Sequence, residues 1–265
     1  ILACFLATLG PGILITALFC VVNFVLARKF PLELDPPRPI KETAREGVTL
    51  TSRALPALLM PMIILGGIYG GIMTPTEAAA VAVIYAFPVG FLVDKGLTFK
   101  TFFTAAKNSA TAVGAIMVMI VFSLMLSQIF VMEDVPQALV EGDFTITVNK
   151  VLMLILIIFL LFFVGMIVND ITSIILIGPL LLPLMEAIGI SAVQFAAIMG
   201  VNTAMGGVTP PYSSILYLGM RIGKAEFSEV IKPAMILIIF GYVPVVFLTS
   251  FWPNLSLFFP GLFGY

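Results

Sequence analysis

The chain has 265 residues, 61% of them hydrophobic and 10% charged, with a mean hydropathy of +1.18 and a formal net charge of -1. A soluble domain carries roughly 25% charged residues, so water is not the solvent for this chain. The near-neutral charge without a basic tract excludes a nucleic-acid partner, and the lack of any histidine removes the usual general base and the commonest metal ligand, so an enzyme is not expected.

The apolar residues arrive in charge-free blocks, and about 20 such residues make one helical crossing of a bilayer. The first block, Ile1 to Ala27, stops at Arg28 and Lys29. It opens without a methionine or the charged start of a signal peptide, so the chain is expected to begin inside a longer protein. Cys4 and Cys20, on one straight helix, would stand roughly 24 Å apart and cannot bridge each other. Residues 28–53 hold Arg28, Lys29, Arg38, Lys41, Arg45 and Arg53, six of the thirteen basic residues. The positive-inside rule places this segment in the cytoplasm, as loop or surface helix.

A second crossing from Ala54 to Met73 leads to Thr74-Pro75-Thr76-Glu77, where a helix start is predicted. Thr74 can accept from a free N–H, Pro75 suits the first helical position, and Glu77 completes a capping box. A structural role is therefore expected for Glu77. The third crossing ends near Val93. Residues 97–110 mix Phe99, Phe102 and Phe103 with Lys100 and Lys107, the pattern of an amphipathic arm lying along the membrane surface. A fourth crossing, about 111–132, leads to residues 133–150, where Glu133, Asp134, Glu141 and Asp143 face one cation, Lys150. That poverty in Lys and Arg marks the outer side.

From Val151 to Glu186 the chain is apolar apart from Asn169 and Asp170. One helix of that length would exceed about 50 Å against a core of about 30 Å. Either two full crossings meet at Asn169-Asp170, or two shorter limbs form a re-entrant hairpin with its tip in the membrane. Gly165 and the isolated Asn169-Asp170 pair favour the hairpin. A carboxylate there costs roughly 2.5–3.5 kcal/mol on insertion scales, which makes Asp170 a functional candidate, with a helix cap or surface turn as the structural alternative. The block 191–223 contains Asn202-Thr203-Ala204-Met205-Gly206-Gly207-Val208-Thr209-Pro210-Pro211-Tyr212-Ser213-Ser214. Two glycines followed by two prolines predict a broken helix with freed carbonyls, tolerated only against protein or a wet cavity. A simple proline kink is the alternative. Arg221 and Lys224 then fall inside, and a closing crossing from about Phe227 to Ser250 ends in Trp252 and an aromatic tail.

The stretches GGIYGGIMTPTEAAAVAVIYAF (Gly66 to Phe87), GMIVND (Gly165 to Asp170) and NTAMGGVTPP (Asn202 to Pro211) resemble, in the same order, the large membrane subunit of the tripartite ATP-independent periplasmic (TRAP) transporters. The resemblance implies an all-α integral membrane protein of the bacterial inner membrane. It would form one inverted-repeat half of an elevator-type transporter, with a re-entrant hairpin and a broken helix. Residues 1–27 would close a preceding repeat, 28–53 form a cytoplasmic segment and 54–132 a scaffold. Residues 133–150 would be a periplasmic loop, 151–223 the hairpin and broken helix of the transport domain, and 224–265 the closing helix and tail. The family implies sodium-driven uptake of a small organic anion, often a carboxylate. A periplasmic substrate-binding protein would deliver it, and a small four-helix membrane subunit would sit alongside. Sodium is then the coupling ion, with no covalent cofactor.

Carried onto this chain, the resemblance puts the sodium site between Asp170 and the Gly206 to Thr209 break. Asp170 would supply charge, Gly206 and Gly207 carbonyls, and Thr209 its hydroxyl. Asn202 would add an amide oxygen or tie the half-helix to a neighbour. Asn169, Thr172, Pro210 and Ser213 are the expected substrate-facing positions. Tyr212-Ser213-Ser214 departs from the small apolar pair frequent in the family. The rival classes are an intramembrane aspartyl protease, which needs a second aspartate facing Asp170, a structural or assembly membrane protein, and a channel, whose charged rings or filter repeats are not visible.

The charge asymmetry predicts that cysteines introduced in residues 28–53 react with a membrane-impermeant maleimide only from the cytoplasm, and those in 133–150 only from the periplasm. Labelling of both from one side would contradict the crossing scheme.

Overall fold

The structure is a computed structural model that describes residues 2–28, 40–93, 96–135, 138, 150–168, 170–211 and 213–264. The described residues are predominantly helical and include no strand. In chain order the helices are α1 Leu2–Ala7, α2 Leu9–Ala27, α3 Ile40–Tyr69, α4 Pro75–Pro88, α5 Phe99–Met132, α6 Lys150–Ile167, α7 Asp170–Ala187, α8 Ala192–Val208, α9 Ser214–Gly223, α10 Phe227–Leu237, α11 Val243–Phe251 and α12 Pro253–Leu262. Among the described residues six helical segments are long and apolar enough to cross a membrane: Leu2–Ala27, Pro75–Val93, Phe99–Met132, Lys150–Ile167, Asp170–Ala187 and Phe227–Phe251. Cys4 and Cys20 are both free. The chain divides into two compact units, the smaller Pro31–Ala115 and the larger built from Ala3–Phe30 and Ile116–Tyr265.

In the smaller unit α3 bends by 56° between Glu46–Ser52 and Ala54–Tyr69. Pro56 explains the position of the bend, because it has no N–H for the Ser52 carbonyl four residues back and its ring crowds that carbonyl. The Pro56 carbonyl accepts the Tyr85 hydroxyl of α4 at 2.8 Å, so the two helices are tied where α3 turns. The turn into α4 uses Gly71 at φ +67°, a left-handed value that glycine adopts without steric cost. The capping box forms as predicted: Glu77 N–H donates to Thr74 Oγ1 at 3.3 Å, and Thr74 N–H to Glu77 Oε2 at 2.8 Å. Beyond Pro88, the π-helical turn Val89–Val93 carries the chain toward Phe99, where Phe87 packs on Phe102 with centroids 5.0 Å apart.

The amphipathic arm expected at 97–110 is not a separate helix. Residues 99–132 form one helix, about 50 Å long at 1.5 Å per residue. Residues 104–115 carry no proline and include five alanines, so no proline break separates arm from crossing.

The larger unit is organised around α8, which has more fully buried residues than any other described helix. Both limbs of the hairpin, α6 and α7, pack mainly on α8 rather than on each other, and α11 and α12 cover the rest of it. Leu154, Ile157 and Leu161 of α6, Leu181 and Met185 of α7, and Phe195, Ile198 and Met199 of α8 make one apolar cluster. Ile158, Val201, Met205, Val245 and Val246 make a second, toward the closing helix. Each limb has 18 residues, hence a length of about 27 Å.

Two features fix α8. At its start Gln194, 2% exposed, donates from Nε2 to the carbonyls of Thr249 and Ser250, each at 3.3 Å. The Thr249 carbonyl has lost its helical partner because Pro253, four residues on, has no N–H. At its other end Gly206 crosses Gly165 of α6, so close that a Cβ on Gly206 would come within 2.7 Å of Gly165 Cα. Between membrane helices, where lipid is as apolar as leucine, small residues allow such backbone approach. The closing span is not a plain helix either. Val243 N–H reaches back five residues to the Ile238 carbonyl, and the π-helical turn Ile238–Tyr242 presents Gly241 to the Phe19 ring, which also meets Tyr242 edge-on at 5.4 Å.

Gly206→Ala should therefore lower the thermal midpoint of the detergent-solubilised protein, costing about 1–3 kcal/mol by overpacking. Gly114→Ala, whose added methyl meets nothing within 4 Å, should be neutral or stabilising. Equal effects of the two changes would contradict the crossing.

Candidate functional site

The hairpin turns between Ile167 and Asp170, so Asp170 is the first residue of α7 and stands at the end of the limb pair where Gly165 meets Gly206. Gly207 lies directly beside it: a Cβ there would be 3.0 Å from Asp170 Oδ1 and 3.4 Å from Oδ2. The carboxylate occupies space that a side chain at position 207 would take. The sequence places Asp170 and the two glycines in different segments, and the fold brings them together.

Beyond Gly207 the helix breaks where the prolines dictate. Pro210 and Pro211 are the residues at i+4 from Gly206 and Gly207, and neither has an N–H to donate back. The helix ends at Val208 and resumes at Ser214, with the Pro210–Pro211 bond cis. The expectation that both glycine carbonyls are freed needs correction at Gly206, whose oxygen accepts the Thr209 N–H at 2.9 Å. The loss of the Pro210 donor is thus made good by a tighter i+3 bond, which leaves the second lone pair of that oxygen. The lost donor at Gly207, the glycine beside Asp170, is the Pro211 nitrogen.

Thr209, 5% exposed, donates its hydroxyl to the Met205 carbonyl at 2.7 Å, a bond that uses the proton and leaves the oxygen's lone pairs to accept. Asn202 is fully buried. Its Nδ2 donates to Ile198 O of its own helix at 3.0 Å, while Oδ1 has no partner. The tie to a neighbouring element considered for Asn202 is therefore replaced by a bond within α8. A buried amide oxygen without a donor is a costly feature, and it shares the Gly206 face of α8 through i,i+4 spacing. Among the described residues no three His, Cys, Asp or Glu side chains come together as a metal-binding group.

Of the substrate-facing positions, Asn169 lies outside the described residues. Thr172 is partly buried two residues into α7, and Pro210 is partly buried in the break. Ser213 is fully buried in a left-handed conformation, φ +34°, at the head of α9, and its hydroxyl has no partner. Sequence reasoning missed Tyr217, whose hydroxyl donates to the Pro211 carbonyl at 3.4 Å and straps the break from one turn into α9. Its signal was present but weak: a tyrosine six residues past Pro211, able to reach back over the turn.

Residues 1–255 match the family described as Tripartite ATP-independent periplasmic transporter, DctM component. The chain belongs to this family. It is 32% identical over 264 residues to the sialic acid TRAP transporter large permease protein SiaM of Vibrio cholerae, an alignment covering 99% of this chain and 61% of the relative. It is 33% identical over 205 residues to the isethionate TRAP transporter permease protein DctMQ of Oleidesulfovibrio alaskensis, covering 77% of this chain and 32% of that one. It is 28% identical over 263 residues to the C4-dicarboxylate TRAP transporter large permease protein DctM of Rhodobacter capsulatus, covering 98% and 58%. The chain thus spans between about a third and three fifths of the length of these relatives. This DctM-family chain is a multi-pass protein of the bacterial inner membrane, and its relatives are transport permeases rather than proteases.

Proposed function

We propose that this DctM-family chain carries part of the transport machinery for sodium-coupled uptake of a small organic anion, most simply a carboxylate. The observation that carries the reading is the placement of the Asp170 carboxylate against Gly207 at the proline-broken end of α8. A carboxylate in a membrane is stabilised when a cation offsets it, and hard oxygen donors suit an alkali ion. Asp170, the Gly206 and Gly207 carbonyls, Thr209 Oγ1 and Asn202 Oδ1 are the set that would hold sodium. Asn202 Oδ1 fits that role because it has no donor of its own. Broken membrane helices use unwound carbonyls for cations and half-helix N-termini for anionic groups. The substrate would accordingly lie toward Asn169, Thr172, Pro210 and Ser213, at the head of α9.

In this reading α6 and α7 form a re-entrant hairpin that moves with α8 as one body in an elevator cycle, while residues 54–132 belong to the static scaffold. A small four-helix membrane subunit and a periplasmic substrate-binding protein complete the system. Relatives named for sialic acid, isethionate and C4-dicarboxylates support an organic anion as cargo, since each of these carries a carboxylate or sulfonate.

In proteoliposomes containing the full-length protein with its partners, Asp170→Asn should weaken the sodium dependence of uptake. Thr209→Ala should raise the sodium concentration for half-maximal uptake roughly five- to tenfold, the loss of one oxygen ligand at about 1–1.5 kcal/mol. Wild-type sodium dependence in both variants, at equal protein levels, would show that the ion binds elsewhere.

A further inference from the structure

We propose that the cleft between α9 and α10 is a binding site for an anionic phospholipid. Its acyl chain would lie in the cleft, with the headgroup phosphate on Arg221 and Lys224. The cleft measures about 400 Å³ and is lined by apolar groups of α8, α9, α10 and the π-helical turn, with Phe19 and Tyr242 among them. Helix α9 has its main packing contact with α8 at the break. It joins α10 through the turn and through Tyr217, stacked on Phe227 with centroids 6.1 Å apart. Gly219, which lines the cleft, faces open space, and a Cβ there would meet nothing within 4 Å. An apolar void of this size between membrane helices forfeits dispersion contacts along its whole lining, and acyl chains are the apolar solvent available to fill it.

The rim supplies the charge. Met220 and Ala225 both line the cleft and are joined by a backbone bond from Ala225 N–H to Met220 O at 3.1 Å. Arg221 and Lys224 belong to the four residues between these two lining positions, so their backbone adjoins the cleft. Both cations are exposed and make no ion pair among the described residues. Lys224 is held in a left-handed conformation, φ +51°, by its own N–H bond to Met220 O. Two carboxylates follow: Glu229 Oε2 accepts the Glu226 N–H at 3.2 Å, which commits it to the positive end of α10, and Glu226 stands beside it. Lys232 lies one turn further on. The balance at the rim favours an anion, and an apolar cleft ending in cations fits a phospholipid better than a free phosphate. The cleft also reaches Val208, the last residue before the break, so its occupant would brace the half-helix that Tyr217 straps.

The test uses the full-length protein with its membrane partners, exchanged into nanodiscs of phosphatidylcholine with or without phosphatidylglycerol. Native mass spectrometry then reads the lipids retained after release. Wild type should retain phosphatidylglycerol in preference to phosphatidylcholine. Arg221→Gln with Lys224→Gln should reduce that preference about tenfold or more, as expected for two basic residues near a lipid phosphate. Gly219→Phe, which fills the cleft, should lower retention of both lipids. Free inorganic phosphate should not displace the lipid. Unchanged preference in the double variant would overturn the proposal. So would crosslinking of a photoreactive probe on Gly219→Cys to polypeptide outside residues 1–265, because the cleft would then be filled by protein.

Discussion

The close approach of Gly206 to Gly165 is the constraint from which the rest of the larger unit follows. Without side chains at these two positions α6 lies against α8 backbone to backbone, and the hairpin limb ends level with the last turn of α8. That alignment leaves Asp170, opening the second limb, against Gly207 and nowhere else. The order Gly206-Gly207 therefore has two uses: the first glycine lets the helices cross, and the second makes room for a carboxylate. Prolines four residues after each then stop the helix at the level the crossing defines.

Around this point the polar groups of the transmembrane helices are mostly turned inward on their own backbones. Thr203 and Thr209 in and after α8, and Thr249 and Ser250 in α11, donate to carbonyls three or four residues back. Such back-bonding disposes of hydroxyl protons in a medium without water. Asn202 Oδ1 and Ser213 Oγ, and Ser256 Oγ in α12, remain without partners among the described residues; the first two lie on the broken helix, flanking Gly206 and Thr209. Buried unsatisfied groups are costly, and these two stand on either side of a break beside a carboxylate, which is why the proposed ion and substrate site is drawn there. Gln194, far from the break, has the opposite role. It uses its amide to satisfy a carbonyl orphaned by Pro253 and so fastens the start of α8 to the closing helix.

Features that rest on local rules were legible in the sequence. The Thr74 to Glu77 capping box, the break between two glycines and two prolines, and the helix start at Asp170 each depend on residues within a few positions of one another. What depended on tertiary packing was not. Residues 97–110 read as an arm because their Phe and Lys pattern is amphipathic, yet that pattern does not say where a helix stops, and no proline intervenes before Met132. The Gly206 carbonyl was expected to be free because Pro210 removes its partner, but a break can tighten locally and recruit the Thr209 N–H. The roles of Gln194 and Tyr217 are not legible locally, because each acts on a carbonyl whose need arises in the fold: that of Thr249, orphaned by Pro253, in one case, and that of Pro211, in the break, in the other.

The central claim is that the hairpin tip and the broken helix are two halves of one ion site. Hydrogen–deuterium exchange on the full-length transporter, compared in sodium and in an equal concentration of potassium, tests it most directly. The account predicts that sodium slows exchange in residues 168–172 and 206–213 together, with the same midpoint in sodium concentration, while residues 97–110 are unchanged. Protection of one segment without the other, or identical exchange in the two salts, would contradict it.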